Sequence, residues 1–140
     1  MAQPPNVSPK RVAWASGTQA DIFVYDGFDD DMKRASKQDQ RKVPQILREH
    51  FCEFGFVKSP QKWNSNEDDH RVSGRVYRLQ AAKGHQLRIY GIVGSRHGKK
   101  TFFVGGIDPG KKSNKADKGI LKRAADRAVA LIGEIEGASA

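Results

Sequence analysis

Apolar and polar residues follow each other in two kinds of pattern along this chain. Short apolar or alternating runs predict strands, and segments with apolar residues three and four positions apart predict helices. The strand pattern occurs twice near the N-terminus and three times in the second half of the chain. The predicted strands are Arg11–Ala15, Ile22–Phe28, Gly74–Ala81, Gln86–Val93 and Thr101–Ile107.

Helical spacing lies between the two groups of strands and predicts a helical hairpin over residues 29–54. Its two helices are expected at Met32–Gln40 and Val43–Phe54. Pro44 would then lie in the first turn of the second helix, where its missing N–H breaks no helical hydrogen bond. Gly55 is a typical residue directly after a helix end.

Three further features complete the predicted layout. Residues 1–10 contain three prolines and little that can be buried, which is typical of a flexible tail. Residues 58–73 are polar and follow neither period, so we expect a long surface loop there. The last helix is expected to start at a capping pair, Asn114 and Asp117, and to end near Ile135.

The length of 140 residues fits one domain, spanning residues 1–140. No run of 18 or more apolar residues occurs, and the N-terminus lacks the apolar core of a secretion signal, so neither a membrane span nor export is expected. Cys52 is the single cysteine and cannot form an internal disulfide. This favours a reducing, cytoplasmic location.

The formal net charge of +9 is concentrated in one half of the chain. Residues 1–70 hold 10 Lys+Arg against 11 Asp+Glu, whereas residues 71–140 hold 15 against 5. A localised positive field favours a nucleic acid or an acidic protein as partner. An ordinary solvated surface has the same composition, so charge alone leaves that alternative open. A membrane surface is less favoured, because no helix combines a basic face with large exposed aromatic residues.

The second half of the chain also resembles a known family. VYRLQA (76–81), QLRIYGIV (86–93) and TFFVGGIDPGKKSNKADKGILKRA (101–124) resemble the RelE/ParE-like toxins of bacterial toxin–antitoxin pairs, particularly the phage-derived, HigB-like branch. The resemblance covers about residues 74–130, with weaker agreement over 29–55. It implies an α+β fold in which a small curved antiparallel sheet packs against an N-terminal helical hairpin and a C-terminal helix.

Many members of that family are ribosome-dependent endoribonucleases that cut messenger RNA, whereas the ParE-like members poison DNA gyrase. The resemblance therefore implies a toxin, and the basic residues favour a metal-independent endoribonuclease that acts on messenger RNA on the ribosome and inhibits translation. A gyrase-inhibiting toxin and a non-catalytic nucleic-acid-binding module remain open. A toxin also implies an acidic antitoxin protein that covers the basic cleft.

The resemblance and the chemistry of RNA cleavage together select candidate catalytic residues. Arg88 falls on the family's strand arginine and is expected to hold the scissile phosphate, because a guanidinium suits phosphate oxygens. Arg78 falls near a strand lysine of the RelE-like pattern. Lys111 and Lys112 occupy the basic turn, where crowding can lower a lysine pKa and allow it to act as a base. His85 is a possible proton carrier, because histidine titrates near neutrality.

Four more lysines are candidates for binding the nucleic-acid backbone. They are Lys99, Lys100, Lys115 and Lys118. Lys118 stands near the position where the RelE-like pattern has a tyrosine, and Gln80 stands where that pattern has a second strand lysine. A tyrosine-based proton relay is therefore not expected. Each cation could instead be an ordinary solvent-facing side chain. No metal-ligand spacing, phosphate-binding loop or dinucleotide fingerprint is visible, so neither a metal nor a small-molecule cofactor is expected.

Overall fold

The structure, a computed structural model, describes residues 12–110 and 117–139. Within these residues, six strands form one sheet, and three α-helices pack on it, the second of which continues into a π-helical segment. The strands are β1 (Ala15–Ser16), β2 (Ala20–Val24), β3 (Trp63–Val72), β4 (Arg75–Lys83), β5 (Arg88–Arg96) and β6 (Lys99–Asp108). The helices are α1 (Phe28–Met32), α2 (Lys37–Ile46), the π-helical segment (Leu47–Cys52) and α3 (Lys118–Ser139).

The strand order across the sheet is β1-β2-β6-β5-β4-β3. All neighbours are antiparallel except β2 and β6, which run parallel. The predicted α+β class and the C-terminal helix are confirmed, but the expectation of a wholly antiparallel sheet is wrong. The parallel pair arises because a long connection through α1, α2 and two hairpins brings β6 back beside β2 in the same direction.

Helices cover both faces of the sheet. Successive residues of β6 point to opposite faces, so Phe102 packs with the core beneath α2, whereas Phe103 packs with the core beneath α3. The strand predicted at Thr101–Ile107 is confirmed within β6, and these residues are all buried. Within the described part of the chain, no helix is long and apolar enough to cross a membrane.

The C-terminal end of β6 lies unusually close to α3. The β5–β6 register shifts between Tyr90 and Gly91, which leaves Gly105 in a bulge facing the helix. A Cβ atom on Gly105 would overlap the carbonyl oxygen of Ala124, and one on Gly106 would press against the Ala124 side chain. The two glycines therefore let α3 rest directly on the backbone at this end of the sheet.

The N-terminal helical region differs from the predicted hairpin, which is not confirmed. The break falls just before Ser36, whose hydroxyl caps α2 by accepting the Asp39 backbone N–H at 3.1 Å. From there α2 runs through the expected boundary and carries Pro44 inside it. The π-helical segment, Leu47–Cys52, follows directly.

The expectation of a long surface loop at 58–73 is wrong for most of its length, because Trp63–Val72 forms β3. This is an edge strand with exposed or half-buried residues on both faces, so it needs no apolar alternation. Ser73 and Gly74 join it to β4 in a two-residue turn with φ angles of 52° and 82°. That turn type is typical of tight hairpins, and it was the one local signal for this strand.

The two ends of the described ranges leave some expectations untested. The predicted tail at 1–10 and the capping residue Asn114 lie outside the described residues. At the start of α3, Asp117 itself acts as the cap, because its carboxylate accepts the backbone N–H groups of Gly119 at 2.8 Å and Ile120 at 3.1 Å. The helix then continues past the expected end near Ile135 to Ser139.

Candidate nucleic-acid site

A cleft of about 560 Å³ lies where α3 rests on the C-terminal end of β6. Three segments form it: the end of α1 with the residues after it, the end of β6 with the following turn, and the first half of α3. Its lining combines arginines, two aspartates and backbone. The lining residues are Asp31, Arg34, Gly106, Ile107, Asp108, Pro109, Gly110, Ile120, Arg123 and Arg127.

The helical arginines of this cleft are placed by the packing of α3. Ala124 and Ala128 are fully buried against the sheet. Arg123 and Arg127 are exposed and lie four residues apart, so their side chains extend from the same edge of the helix. Arg34, between α1 and α2, contributes a third guanidinium from the opposite wall.

Two carboxylates lie among these arginines. Asp31 accepts a hydrogen bond of 2.6 Å from the hydroxyl of Tyr25, and the Arg127 guanidinium lies 5.2 Å from the centre of that tyrosine ring. Burial and this hydrogen bond raise the pKa of Tyr25 well above its ordinary value. Asp108 ends β6 and accepts the Gly110 backbone N–H at 3.2 Å.

The described lining therefore has three positive and two negative side chains. Guanidinium groups can bind phosphate oxygens in pairs, and a carboxylate can accept a proton from a bound hydroxyl. Such a mixture suits a phosphodiester better than an isolated anion, because the linkage offers both a charged group and hydroxyl neighbours.

The strand arginines predicted as catalytic lie on opposite faces of the sheet. Arg88 pairs with Lys83 across β4 and β5, and antiparallel partners point to the same face. Arg78 precedes Lys83 by five residues on the same strand, and an odd separation places it on the other face. Arg88 shares its face with Tyr90 beneath α3, whereas Arg78 shares its face with Gln80.

Both strand arginines also have partners of their own. The Arg78 guanidinium lies 3.3 Å from the Asp69 carboxylate on β3. Arg88 donates from one nitrogen to the carbonyl oxygens of Gly84 and Leu87, each at 3.0 Å. Neither arginine lines the cleft. The sheet therefore does not bring Arg78 and Arg88 together to hold one phosphate.

His85 lies in the turn between β4 and β5 and is exposed. Its backbone N–H donates to the Asp39 carboxylate at 2.8 Å, and those of Gln86 and Leu87 do so at 3.0 Å each. This contact fixes the turn on α2. The His85 side chain is not part of the cleft lining, so the structure does not join it to the arginines.

The predicted lysines separate into three groups. Lys99 and Lys100 begin β6, about 30 Å along the strand from the cleft at its other end. Lys99 pairs with Asp21 at 2.7 Å, and the Lys100 ammonium lies 5.9 Å from the Phe51 ring. Lys118 is exposed in the first turn of α3 and does not line the cleft.

The third group lies outside the described residues and comprises Lys111, Lys112 and Lys115. In the chain, Lys111 directly follows Gly110, which lines the cleft. These three lysines therefore remain candidates on the basis of the sequence alone.

Sequence reasoning missed the three arginines that line the cleft. The sequence did contain a signal for two of them. Arg123 and Arg127 are four residues apart, which places them on one side of a helix, and each is followed by an alanine that can be buried. For Arg34 no signal existed, since only the fold brings it near α3. Asp31 lies in the first turn of α1, where acidic residues are common, and it also lines the cleft.

Across residues 12–110 and 117–139, no group of three or more metal-ligating side chains is close enough to hold an ion. Comparison with known proteins adds no relative: no family model, no curated protein and no solved structure matches this chain.

Proposed function

We propose that the protein is a RelE/ParE-like toxin that cleaves messenger RNA on the ribosome, with the cleft between α1, β6 and α3 as its active site. One observation carries the proposal: Arg34, Arg123 and Arg127 converge from separate segments on the end of β6. The Gly-Lys-Lys turn that resembles this family starts at the same place, because Gly110 is part of the lining.

In this proposal each group of the cleft has a role in cleaving RNA. Arg123 and Arg127 bind the non-bridging oxygens and stabilise the charge that grows on them in the transition state. Asp108 accepts the proton of the attacking 2′-hydroxyl, because the hydrogen bond that it accepts from the Gly110 backbone N–H, at 3.2 Å, is weaker than the 2.6 Å hydrogen bond that Asp31 accepts from Tyr25. The 2′-oxygen bonds to phosphorus as the 5′-oxygen leaves, and Lys111 or Lys112, which are candidates by sequence, supplies its proton.

The test is cleavage of a translated messenger by the purified protein in a reconstituted translation reaction. Arg123→Ala is expected to lower the cleavage rate about 100-fold or more, by analogy with the loss of one oxyanion donor. Lys122→Ala is the matched control, because Lys122 is adjacent, exposed and 3.5 Å from Asp126 rather than in the cleft. Intact messenger with the wild-type protein would refute the proposal.

A second candidate function is a non-catalytic nucleic-acid-binding module. It is favoured by the absence of histidine, lysine and tyrosine from the described lining of the cleft, which leaves carboxylates as its only proton acceptors. This candidate predicts strongly salt-dependent RNA binding without cleavage, and no growth arrest on expression.

As a toxin, the protein would act in the cytoplasm and would need an acidic antitoxin. A carboxylate-rich segment of such a partner would compete with RNA for the three arginines of the cleft. Co-expression of the partner should therefore restore growth. In a competition experiment at high salt, free RNA should displace the bound partner only weakly.

A further inference from the structure

A second, smaller pocket lies directly beside the cleft and shares Arg127 with it. Its volume is about 230 Å³, and it is lined by Tyr25, Asp26, Arg127, Ala130, Leu131 and Glu134. The two sites also meet through the hydrogen bond between Tyr25 of the pocket and Asp31 of the cleft. We refer to this site as the side pocket.

The side pocket continues one stripe of α3. Arg127, Ala130, Leu131 and Glu134 follow the spacing i, i+3, i+4 and i+7, so they lie on the same side of the helix. Arg123, in the cleft, belongs to the preceding turn of that stripe. The distance along the helix from Arg123 to Glu134 is about 16 Å, which is enough for a few nucleotides.

The chemistry of the two sites differs. The cleft has an excess of arginine, whereas the side pocket has two carboxylates, Asp26 and Glu134, around one shared arginine. Carboxylates repel phosphate and accept hydrogen bonds only, so they suit a group that presents N–H donors. Ala130 and Leu131 add apolar surface between them.

The size of the side pocket limits what enters it. It is smaller than the roughly 300–1,000 Å³ typical of sites for drug-sized ligands, so it suits a single planar base rather than a whole nucleotide. A base can enter such a pocket only when it is not stacked or paired, which requires a single strand.

We propose that the side pocket reads one unstacked guanine of a single-stranded RNA whose phosphate lies in the neighbouring arginine cleft. This inference rests on the proposed function and specifies its substrate. Guanine presents two adjacent donors, N1–H and the N2 amino group, which a carboxylate can accept side by side. Uracil presents one N–H between two carbonyl oxygens, and these would face the carboxylates unfavourably.

The test is fluorescence anisotropy with labelled 2′-O-methyl heptamers, which cannot be cleaved because the attacking hydroxyl is blocked. The two probes are UUUGUUU and UUUUUUU. The wild-type protein is expected to bind the guanine probe about tenfold more tightly. Replacing the guanine by inosine removes the N2 amino group and should abolish most of that preference. A duplex of the guanine probe should show no preference.

Variants distinguish base reading from general charge. Glu134→Gln is expected to bring the affinity for the guanine probe close to that for the uracil probe. Asp126→Asn is the matched control, because it removes the same charge from α3 at an exposed residue that lines neither site. It should leave the tenfold preference unchanged. Thermal unfolding of each variant checks that it is folded.

Two results overturn base reading by the side pocket itself. They are equal affinity of the wild-type protein for both probes, and a preference that survives Glu134→Gln. Failure of the arginine cleft as the phosphate site gives a different result. If the cleft binds phosphate, Arg123→Ala weakens the binding of both probes by the same factor and reduces the salt slope by about one. If Arg123→Ala binds both probes like the wild type, the arginine cleft is not the phosphate site and the base pocket falls with it.

Discussion

Replacing Asp39 by asparagine tests how the turn between β4 and β5 is held in place. The Asp39 side chain comes from α2 and the residue is only 2% exposed. Its two carboxylate oxygens accept three backbone N–H groups of the turn, from His85, Gln86 and Leu87, at 2.8–3.0 Å. An asparagine of the same shape offers one oxygen and turns an NH₂ group toward these donors.

Hydrogen bonds to a charged acceptor contribute about 1.5–3 kcal/mol each, and asparagine can keep part of this set. We therefore expect Asp39→Asn to lower the free energy of unfolding by about 3 kcal/mol. For a chain of this length that corresponds to a decrease in Tm of about 10 °C. Thermal unfolding followed by circular dichroism measures it, with Asp30→Asn as the control, because the Asp30 side chain is 85% exposed.

The same residue predicts the acid dependence of stability. Burial acts to raise the pKa of Asp39, but the three N–H donors of Gln86, His85 and Leu87 outweigh it and hold the pKa below its ordinary value. A lowered pKa in the folded state stabilises the fold above the unfolded-state pKa, and the effect is lost as the pH falls through the folded-state pKa.

The difference in Tm between wild type and Asp39→Asn should therefore be full at neutral pH and shrink below about pH 4. A Tm within about 2 °C of wild type at pH 7 would refute the role of this carboxylate. A difference that stayed constant down to low pH would show that its charge is not what holds the turn.

Three further predictions concern single side chains. Gly105→Ala should lower stability to urea by about 2–3 kcal/mol, because the new methyl group meets the Ala124 carbonyl and must displace α3; unchanged stability would contradict the close contact. Tyr90→Phe should leave stability unchanged or raise it by up to about 1 kcal/mol, since the buried hydroxyl has no hydrogen-bond partner among the described residues; a clear loss would reveal a partner. Arg78→Ala should leave RNA cleavage and binding near wild type, because Arg78 lies opposite Asp69 at the sheet edge; a large loss would restore it to the site.

The strands of the second half could be predicted because each has enough apolar residues to show its period. Thr101–Ile107 lies within β6, and Gly98 in the β5–β6 turn has a φ of 78°, which glycine readily adopts. The edge strand β3 could not be predicted in the same way, because a strand whose residues are exposed or half-buried on both faces carries no hydrophobic pattern. Its only signal was the Ser73–Gly74 turn.

Whether Arg78 and Arg88 could form one site depended on the register of β4 and β5, which the sequence does not contain. Arg78 and Arg88 would share a face if the turn between their strands were one residue longer or shorter, because side chains alternate along a strand. Asp39, on a helix distant in sequence, holds this turn in place by accepting three of its backbone N–H groups. Local pattern therefore identified both arginines as strand residues but could not place them together.

The strand cations and Arg123 of α3 differ in their contacts with the rest of the protein. On the strands, Arg78, Arg88 and Lys99 each contact a carboxylate or carbonyl oxygen of the protein, so a polyanion would have to break an existing contact to reach them. Arg123 lines an open cleft instead. Because binding of a polyanion is favoured where counterions rather than protein groups are displaced, the electrostatic attraction should follow α3 and not the sheet. The salt dependence of RNA binding should accordingly fall on substitution of Arg123 and remain unchanged on substitution of Arg78.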